Sequence, residues 1–333
     1  MDPLTQGLLG ASLAQSASRQ RELRVAGVLG LLAAMSPDLD VLIRSSSDPL
    51  LFLTFHRQFT HSLLFIPLGS VVCALVLHPL IGKRVGFSFR RSWLYCALGY
   101  ASHALLDACT SYGTQLLWPL TDTRFAWNIL SVIDPSFTLP IAILLLIAAS
   151  RRSLWLARAA LVWALVYPTL GLIQRERAEA IGWQIAQQRQ HSPHKIEVKP
   201  SFANLLLWKV VYQENERFYI DAVRVGFDQK IYPGTSIKQL EASRDLPWLD
   251  LRSQQGQDLA RFGWFSDGYL ALDPNYEWRV IDVRYSLVPN QLNPLWSIQL
   301  SPLASAEAHV EYLTHRDNSP ANRQQFFDML RGR

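Results

Sequence analysis

Two aspartates and two histidines stand between two apolar stretches, Asp38 and Asp40 in SPDLD and His56 and His61 in HRQFTHS. A further pair, His103 and Asp107 in HALLD, runs into SYGTQLLWP. Imidazole and carboxylate are the usual ligands of zinc and other divalent first-row ions. His103 and Asp107 are four apart, so a helix puts both on one face. In an extended P-D-L-D-V segment Asp38 and Asp40 share a side. His56 and His61 are five apart and diverge on one continuous helix. With Thr60 or Ser62 as N-cap of the apolar run from Leu63, His56 stays on a loop, His61 sits at a helix mouth, and the two can converge on one ion.

This composition assigns Asp40, His56, His61, His103 and Asp107 as metal ligands, with zinc first and manganese as the alternative. Asp38 is taken as the catalytic base or an additional ligand. Arg57 is taken as an anion clamp, because a guanidinium matches phosphate or carboxylate in a two-pronged way. Each residue also has a plainer reading. An i, i+4 His/Asp pair can stitch two helices, an aspartate can cap a helix, and an arginine can face lipid headgroups. Asp134, before Pro135, either caps a helix or reaches the site. His78, His191, His194, His309 and His315 belong to no cluster and are taken as structural or exposed.

The elements that must position these residues follow from an uneven chain. Residues 1–173 hold 13 of the 32 Lys and Arg and 8 of the 27 Asp and Glu, so the net charge of +5 lies in the apolar half. The basic residues there cluster at segment ends, which is a membrane-topology pattern and not a nucleic-acid surface. Runs at 2–17 and 25–35 are short for a bilayer and suggest a tilted or partly inserted hairpin. Their glycines, Gly7, Gly10, Gly27 and Gly30, permit close packing, although the i, i+3 spacing carries little weight. Candidate spans follow at Leu63–Ile81, Trp93 to about Cys109, Phe137–Ala149 and Leu154–Ile173. If Arg19–Arg24, Lys83–Arg91 and Arg151-Arg152 face the cytoplasm, alternation puts every motif, and Asp2, on the opposite side.

After an amphipathic connecting helix at 174–194, the chain turns strand-rich. LLLWKVVYQ and RFYIDAVRVG flank Glu214-Asn215-Glu216 as a hairpin, and EWRVIDVRYSL and LWSIQL add strands. The fold class is therefore an α-helical multi-pass membrane domain, 1–173, followed by a small β-rich (α+β) soluble domain, 195–333. Cys73, Cys96 and Cys109 show no C-x-x-C spacing and read as small buried hydrophobes. The N-terminus lacks a basic n-region, so no signal cleavage is expected.

No G-x-S-x-G, Walker loop, H-E-x-x-H or Rossmann glycine pattern is present, which disfavours a serine hydrolase, an NTPase and a zincin. MDPLTQGLLGA at the start, PDLD at 37–40, HRQFTHS at 56–62, HALLD at 103–107 and GTQLLWP at 113–119 together resemble the LexA-regulated, inner-membrane-bound metal-dependent hydrolases, the YdjM-like family. The resemblance covers about the first 150 residues. It implies a metal-dependent hydrolase in a bacterial inner membrane. The family's grouping with zinc-dependent phospholipase C and related nucleases implies phosphoester chemistry. Many relatives carry Thr-His where this chain has Thr5-Gln6, a departure that removes one candidate ligand. The partners expected are the lipid bilayer and a lipid or phosphoester substrate, and the alternation of the basic clusters puts the C-terminal domain on the periplasmic side. A non-catalytic membrane protein using the cluster as a structural or sensory metal site is the alternative. A transporter is disfavoured, because the ionisable groups gather at segment ends and form no path across the bilayer.

Overall fold

The computed structural model describes residues 1–333 and divides into two compact units. Unit 1 comprises Met1–Leu42, Phe55–Leu172 and Phe202–Asn204; unit 2 comprises Ile43–Thr54, Ile173–Ser201 and Leu205–Arg333. The fold is helical membrane region followed by α+β domain, as the sequence implies.

In unit 1, α1 (Pro3–Ser16) and α2 (Leu23–Met35) form the expected hairpin. Asp2 caps α1 by accepting from Thr5 N. A 3₁₀ turn over Pro37–Leu42 continues α2, so the helical run Leu23–Leu42 reaches 20 residues and is long enough to cross a bilayer. The short α3, Leu51–Phe55, follows, all but its last residue in the 43–54 segment that belongs to unit 2. Then α4 (Ile66–Leu77) lies within a 23-residue span, Leu63–Val85, and exposes Leu68, Val72, Leu75 and Val76 as a lipid-facing surface. Helix α5 (Phe89–Ala108) differs in buried pattern: Ser92, Tyr95, Cys96, Gly99, Tyr100, His103 and Asp107 recur at helical spacing and face the bundle. Asp134 caps α6 (Pro135–Arg151) through Ser136 N and accepts from Tyr167 Oη at 2.8 Å, so its capping role is the one the structure supports. Helix α7 runs unbroken from Leu154 to Gln188; the last span and most of the connecting segment are one helix, because Pro168 and the polar residues after Ile173 do not interrupt it.

Three glycines set the closeness of the bundle. A Cβ on Gly99 would lie 2.2 Å from the carbonyl oxygen of Gly30, and one on Gly10 would lie 2.5 Å from the same atom. The glycines therefore matter across helices, which spacing within one helix does not reveal.

The basic clusters share one end of this unit. Arg24 Nε donates to Ala149 O at the end of α6 at 2.7 Å, and Glu22 takes Arg91 Nη1 at 2.8 Å and Tyr95 Oη at 2.7 Å. At the other end Thr5 Oγ1 meets Thr138 Oγ1 at 2.6 Å, and the α-amino group of Met1 pairs with Asp107.

Unit 2 holds two four-stranded antiparallel meanders. The first is β1 (Ile196–Pro200), β2 (Leu207–Glu214), β3 (Arg217–Val225) and β4 (Gln229–Lys238). Asn215 and Glu216, both at positive φ, make the tight β2–β3 turn. After a single-turn α8 (Ala242–Asp245) and α9 (Gln254–Phe265) come β5 (Leu270–Leu272), β6 (Arg279–Asp282), β7 (Trp296–Gln299) and β8 (Glu311–Thr314), then α10 (Pro320–Leu330). One face of the first sheet buries Ile196, Val198, Trp208 and Val210 against Ala178, Ile181 and Ile185 of α7. Its other face meets the second sheet through Val211, Phe218, Ile220, Tyr269 and Ile281. The far side of the second sheet packs on α9 and on Leu50 and Leu53 of the 43–54 segment. Burying those two leucines contributes on the order of 2 kcal/mol each.

Candidate metal centre

His103 and Asp107 lie on the buried stripe of α5, and the Gly10–Gly30–Gly99 crossing brings the end of α2 against them. His103 Nδ1 is 2.5 Å from Ala34 O. A carbonyl oxygen accepts only, so Nδ1 carries the proton and Nε2 presents a lone pair. His61 Nδ1 faces Thr60 Oγ1 at 2.9 Å and Asp40 Oδ2 at 3.2 Å. Thr60 spends its own hydroxyl proton on Asp40 Oδ2 at 2.7 Å. The proton of neutral His61 therefore lies on Nδ1, and its Nε2 also presents a lone pair.

The two Nε2 atoms face each other across 2.9 Å, lone pair to lone pair when both rings are neutral. Asp38 Oδ1 lies 3.5 Å from His61 Nε2 and 3.4 Å from His103 Nε2. Asp107 Oδ2 lies 3.4 and 3.9 Å from the same two atoms and has no hydrogen-bond partner although it is fully buried. All four atoms fall within 4.8 Å of one another. Ligands about 2.0–2.1 Å from a tetrahedral ion stand roughly 3.3 Å apart, so the spacing fits a single zinc-sized cation. Four acceptors with no proton among them would repel unless a proton or a cation is shared.

Asp40 stands behind this group. Its Oδ1 pairs with His56 Nδ1 at 2.7 Å, and its Oδ2 accepts from Arg57 N at 3.1 Å as well as from Thr60. Asp38, Asp40 and His56 form a second potential ligand set that shares Asp38 with the first. His56 thus reaches the cluster through Asp40, and its ring is 31% exposed, whereas His61, His103 and Asp107 are at 0%. Arg57 is buried with Nε 3.0 Å from Asp107 Oδ2, at an angle that makes an ion pair without a hydrogen bond. Its Nη1 donates to Thr110 Oγ1 at 3.2 Å, and its guanidinium lies 5.4 Å from the Tyr112 ring centre.

Two residues outside the assigned set belong here. Gln6 is fully buried and donates from Nε2 to Asp107 Oδ1 at 2.9 Å, so the residue that departs from Thr-His still touches the cluster. Thr60, weighed only as a cap, orients Asp40 and His61; Ser62 is the residue that caps, accepting from Leu64 N. No local signal separates a capping threonine from an orienting one. The GTQLLWP run braces the histidine loop: Gln115 N donates to Arg57 O, Leu63 N to Leu116 O and Ser62 Oγ to Trp118 O. Arg57 sits at φ +66°, a left-handed conformation held by the bonds on both sides of it.

The remaining histidines stand apart from this cluster. His78 pairs with Ser92, His191 with Tyr212, His309 with Asp258 and His315 with Ser297.

Fold and site together define a helical membrane protein with a His/Asp ligand cluster at one end of its bundle and an α+β domain after it. A family model described as the YdjM inner membrane protein matches residues 1–178, and the chain belongs to that family. The inner membrane protein YbcI of Escherichia coli (strain K12) is 35% identical over 108 residues, which is 31% of this chain and 60% of that protein. No solved structure matches.

Proposed function

We propose that this chain is a membrane-bound metal-dependent hydrolase whose ion is held by Asp38, His61, His103 and Asp107, acting on a phosphoester or lipid-linked substrate. The supporting observation is the convergence of four ligand atoms, Nε2 of His61 and of His103 and one carboxylate oxygen each of Asp38 and Asp107, within 4.8 Å of one another. In this reading Asp38 takes the ligand role, one of the two expected of it, whereas Asp40, expected as a ligand, instead holds the His61 ring in the metal-binding tautomer. The N₂O₂ set and its spacing favour zinc over manganese, which prefers octahedral oxygen.

A divalent ion there would polarise a phosphoryl oxygen and supply a nucleophile at neutral pH. Asp40 fixes the tautomer of His56 through Nδ1, leaving Nε2, on the partly exposed ring, to exchange a proton with a leaving group. Arg57 serves as the charge partner of Asp107, its donors turned to protein groups and not outward to an anion. The 19% exposure of Asp38, against 0% for the other three ligands, marks the side from which a substrate would approach.

The second reading is a structural metal site, favoured by one observation: four protein ligands already complete a tetrahedron, whereas catalytic zinc keeps a position for water. Metal content of the purified full chain tests both. Zinc should copurify near one equivalent, and His61→Ala and His103→Ala should each lose it. Chelation should abolish hydrolysis of a phosphodiester or phospholipid, with Zn²⁺ restoring it. Asp40→Asn should weaken metal affinity by about 10–100-fold, the usual cost of an outer-shell partner. Undiminished metal in both histidine variants would remove the centre; full metal with no exchangeable water in its coordination shell and no hydrolysis would leave the structural reading.

A further inference from the structure

We propose that the segment Ile43–Thr54 is a strap through which the C-terminal domain sets the geometry of the metal centre, with Arg261 as its positioning residue; this rests on the metal reading above. The strap is inserted between the two ligand motifs: Asp38 and Asp40 precede it, and His56 and His61 follow. By its contacts it belongs to unit 2 and not to the unit that holds the ligands.

A connection of this length rich in serine would leave its ends free to separate, at little entropic cost. Here both ends and the middle are fixed. At its base, Asp40 bonds His56 Nδ1 and Arg57 N, so the carboxylate behind His61 is tied to the residues on the far side of the strap. Along its length, Leu50 is fully buried and Leu53 nearly so, packed with Leu246, Phe262 and Ile298, and Phe52 meets Tyr312 edge-on at 5.2 Å. Arg261 grips it twice, Nη1 on Asp48 Oδ1 at 3.0 Å and Nη2 on Thr54 Oγ1 at 3.3 Å.

Arg261 is itself held by Asp258, which is fully buried. Asp258 Oδ1 accepts from Arg261 Nη1 at 3.2 Å, and its Oδ2 accepts from His309 Nδ1 at 2.8 Å and Val310 N at 3.1 Å. Asp48, Asp258 and His309 have the composition of a metal site, but Arg261 Nη1 already bridges the two carboxylates, at 3.0 and 3.2 Å, and holds them to the strap. Thr54 lies two residues before His56. At its other end Ile43 lies three residues after Asp40, so a shift of the strap is passed along the backbone from both ends, to His56 and Arg57 and directly to Asp40, and from Asp40 to His61.

The test uses the full chain in detergent with Co²⁺ as the probe, read by its affinity and by its visible ligand-field spectrum. The arms are the wild type, His61→Ala, Arg261→Gln, Arg261→Lys, and an insertion of Gly-Ser-Gly-Ser between the exposed Ser46 and Ser47. The insertion leaves every core contact of the strap in place and only slackens its connection to Asp40. We expect Arg261→Gln and the insertion to weaken Co²⁺ binding by roughly tenfold, as outer-shell changes do, with a shifted spectrum and partial recovery in Arg261→Lys. Tryptophan fluorescence during unfolding reports whether the C-terminal domain stays intact. If Arg261→Gln unfolds it, the insertion decides alone. An insertion variant that binds Co²⁺ within twofold of wild type with the same spectrum overturns the strap. A wild type that binds no Co²⁺, or a His61→Ala variant equal to it, overturns the metal centre instead.

Discussion

Asp40 shows how much one side chain can organise. It receives four contacts, from His56, Arg57 N, Thr60 and His61, and none of its oxygens faces the four-atom cluster that His61 joins. Gln6 does the corresponding work for Asp107. In the C-terminal domain a single buried residue likewise ties stability to pH. Lys209 on β2 is buried between the sheets, donating to Ser286 Oγ at 2.8 Å and Gln291 O at 3.0 Å, and burial pushes its amino group down to about 7. Below pH 7 the group is charged in both folded and unfolded chains, and its burial penalty is fully present. Between pH 7 and the ordinary lysine range near 10.5 the unfolded chain binds more protons, so stability rises with pH. The unfolding midpoint of the C-terminal domain in urea should therefore climb from pH 7 to pH 9 more steeply in wild type than in Lys209→Met. Equal slopes would mean that Lys209 titrates normally.

At the scale of elements, α5 is built around a polar stripe that only close packing can bury. Its crossing with α1 and α2 leaves no room for a methyl group at Gly99, where the obstacle is the backbone of Gly30. Gly99→Ala should cost about 1–3 kcal/mol as an overpacked site. It should also weaken Co²⁺ binding, since His103 lies one turn further along the same helix. Thermal melting in detergent checks the first effect and cobalt titration the second. Gly263→Ala in α9 serves as the control, because its Cβ would meet Leu270 at an ordinary 3.6 Å. A Gly99→Ala protein that melts with wild type would show that α2 and α5 separate more readily than their packing indicates.

For the whole molecule, the arginine clusters at one end of the bundle and the ligand cluster at the other give the inner-membrane protein a polarity. Loops rich in Lys and Arg stay on the cytoplasmic side. We infer that Arg19–Arg24, Lys83–Arg91 and Arg151-Arg152 face the cytoplasm and that the metal cluster and the chain after α7 face the periplasm. Alkaline phosphatase fused at Ser88 should be inactive and fused after Arg333 active, with a fluorescent-protein fusion giving the reverse. Both fusions reporting the same side would overturn this topology.

Residue types and periodicity, which are local, were enough to place the spans that begin at Leu63 and Leu154, the β2–β3 hairpin and the α+β character of the second half, and to single out six candidate His and Asp residues; they missed that the turn at Pro37–Leu42 carries the second helix to 20 residues. The glycine crossing was not legible, because Gly10, Gly30 and Gly99 answer one another across helices and not along one. Nor was the difference between Asp38 and Asp40, two residues apart on the same turn. The bonds that separate them come from Arg57, Thr60 and His103, distant in sequence, and only the folded chain decides which carboxylate faces the cluster. The strap was hidden for the same reason: SSSDPLLFLT reads as an ordinary connection until α9 and the second sheet, some 200 residues later, supply the partners that bury it.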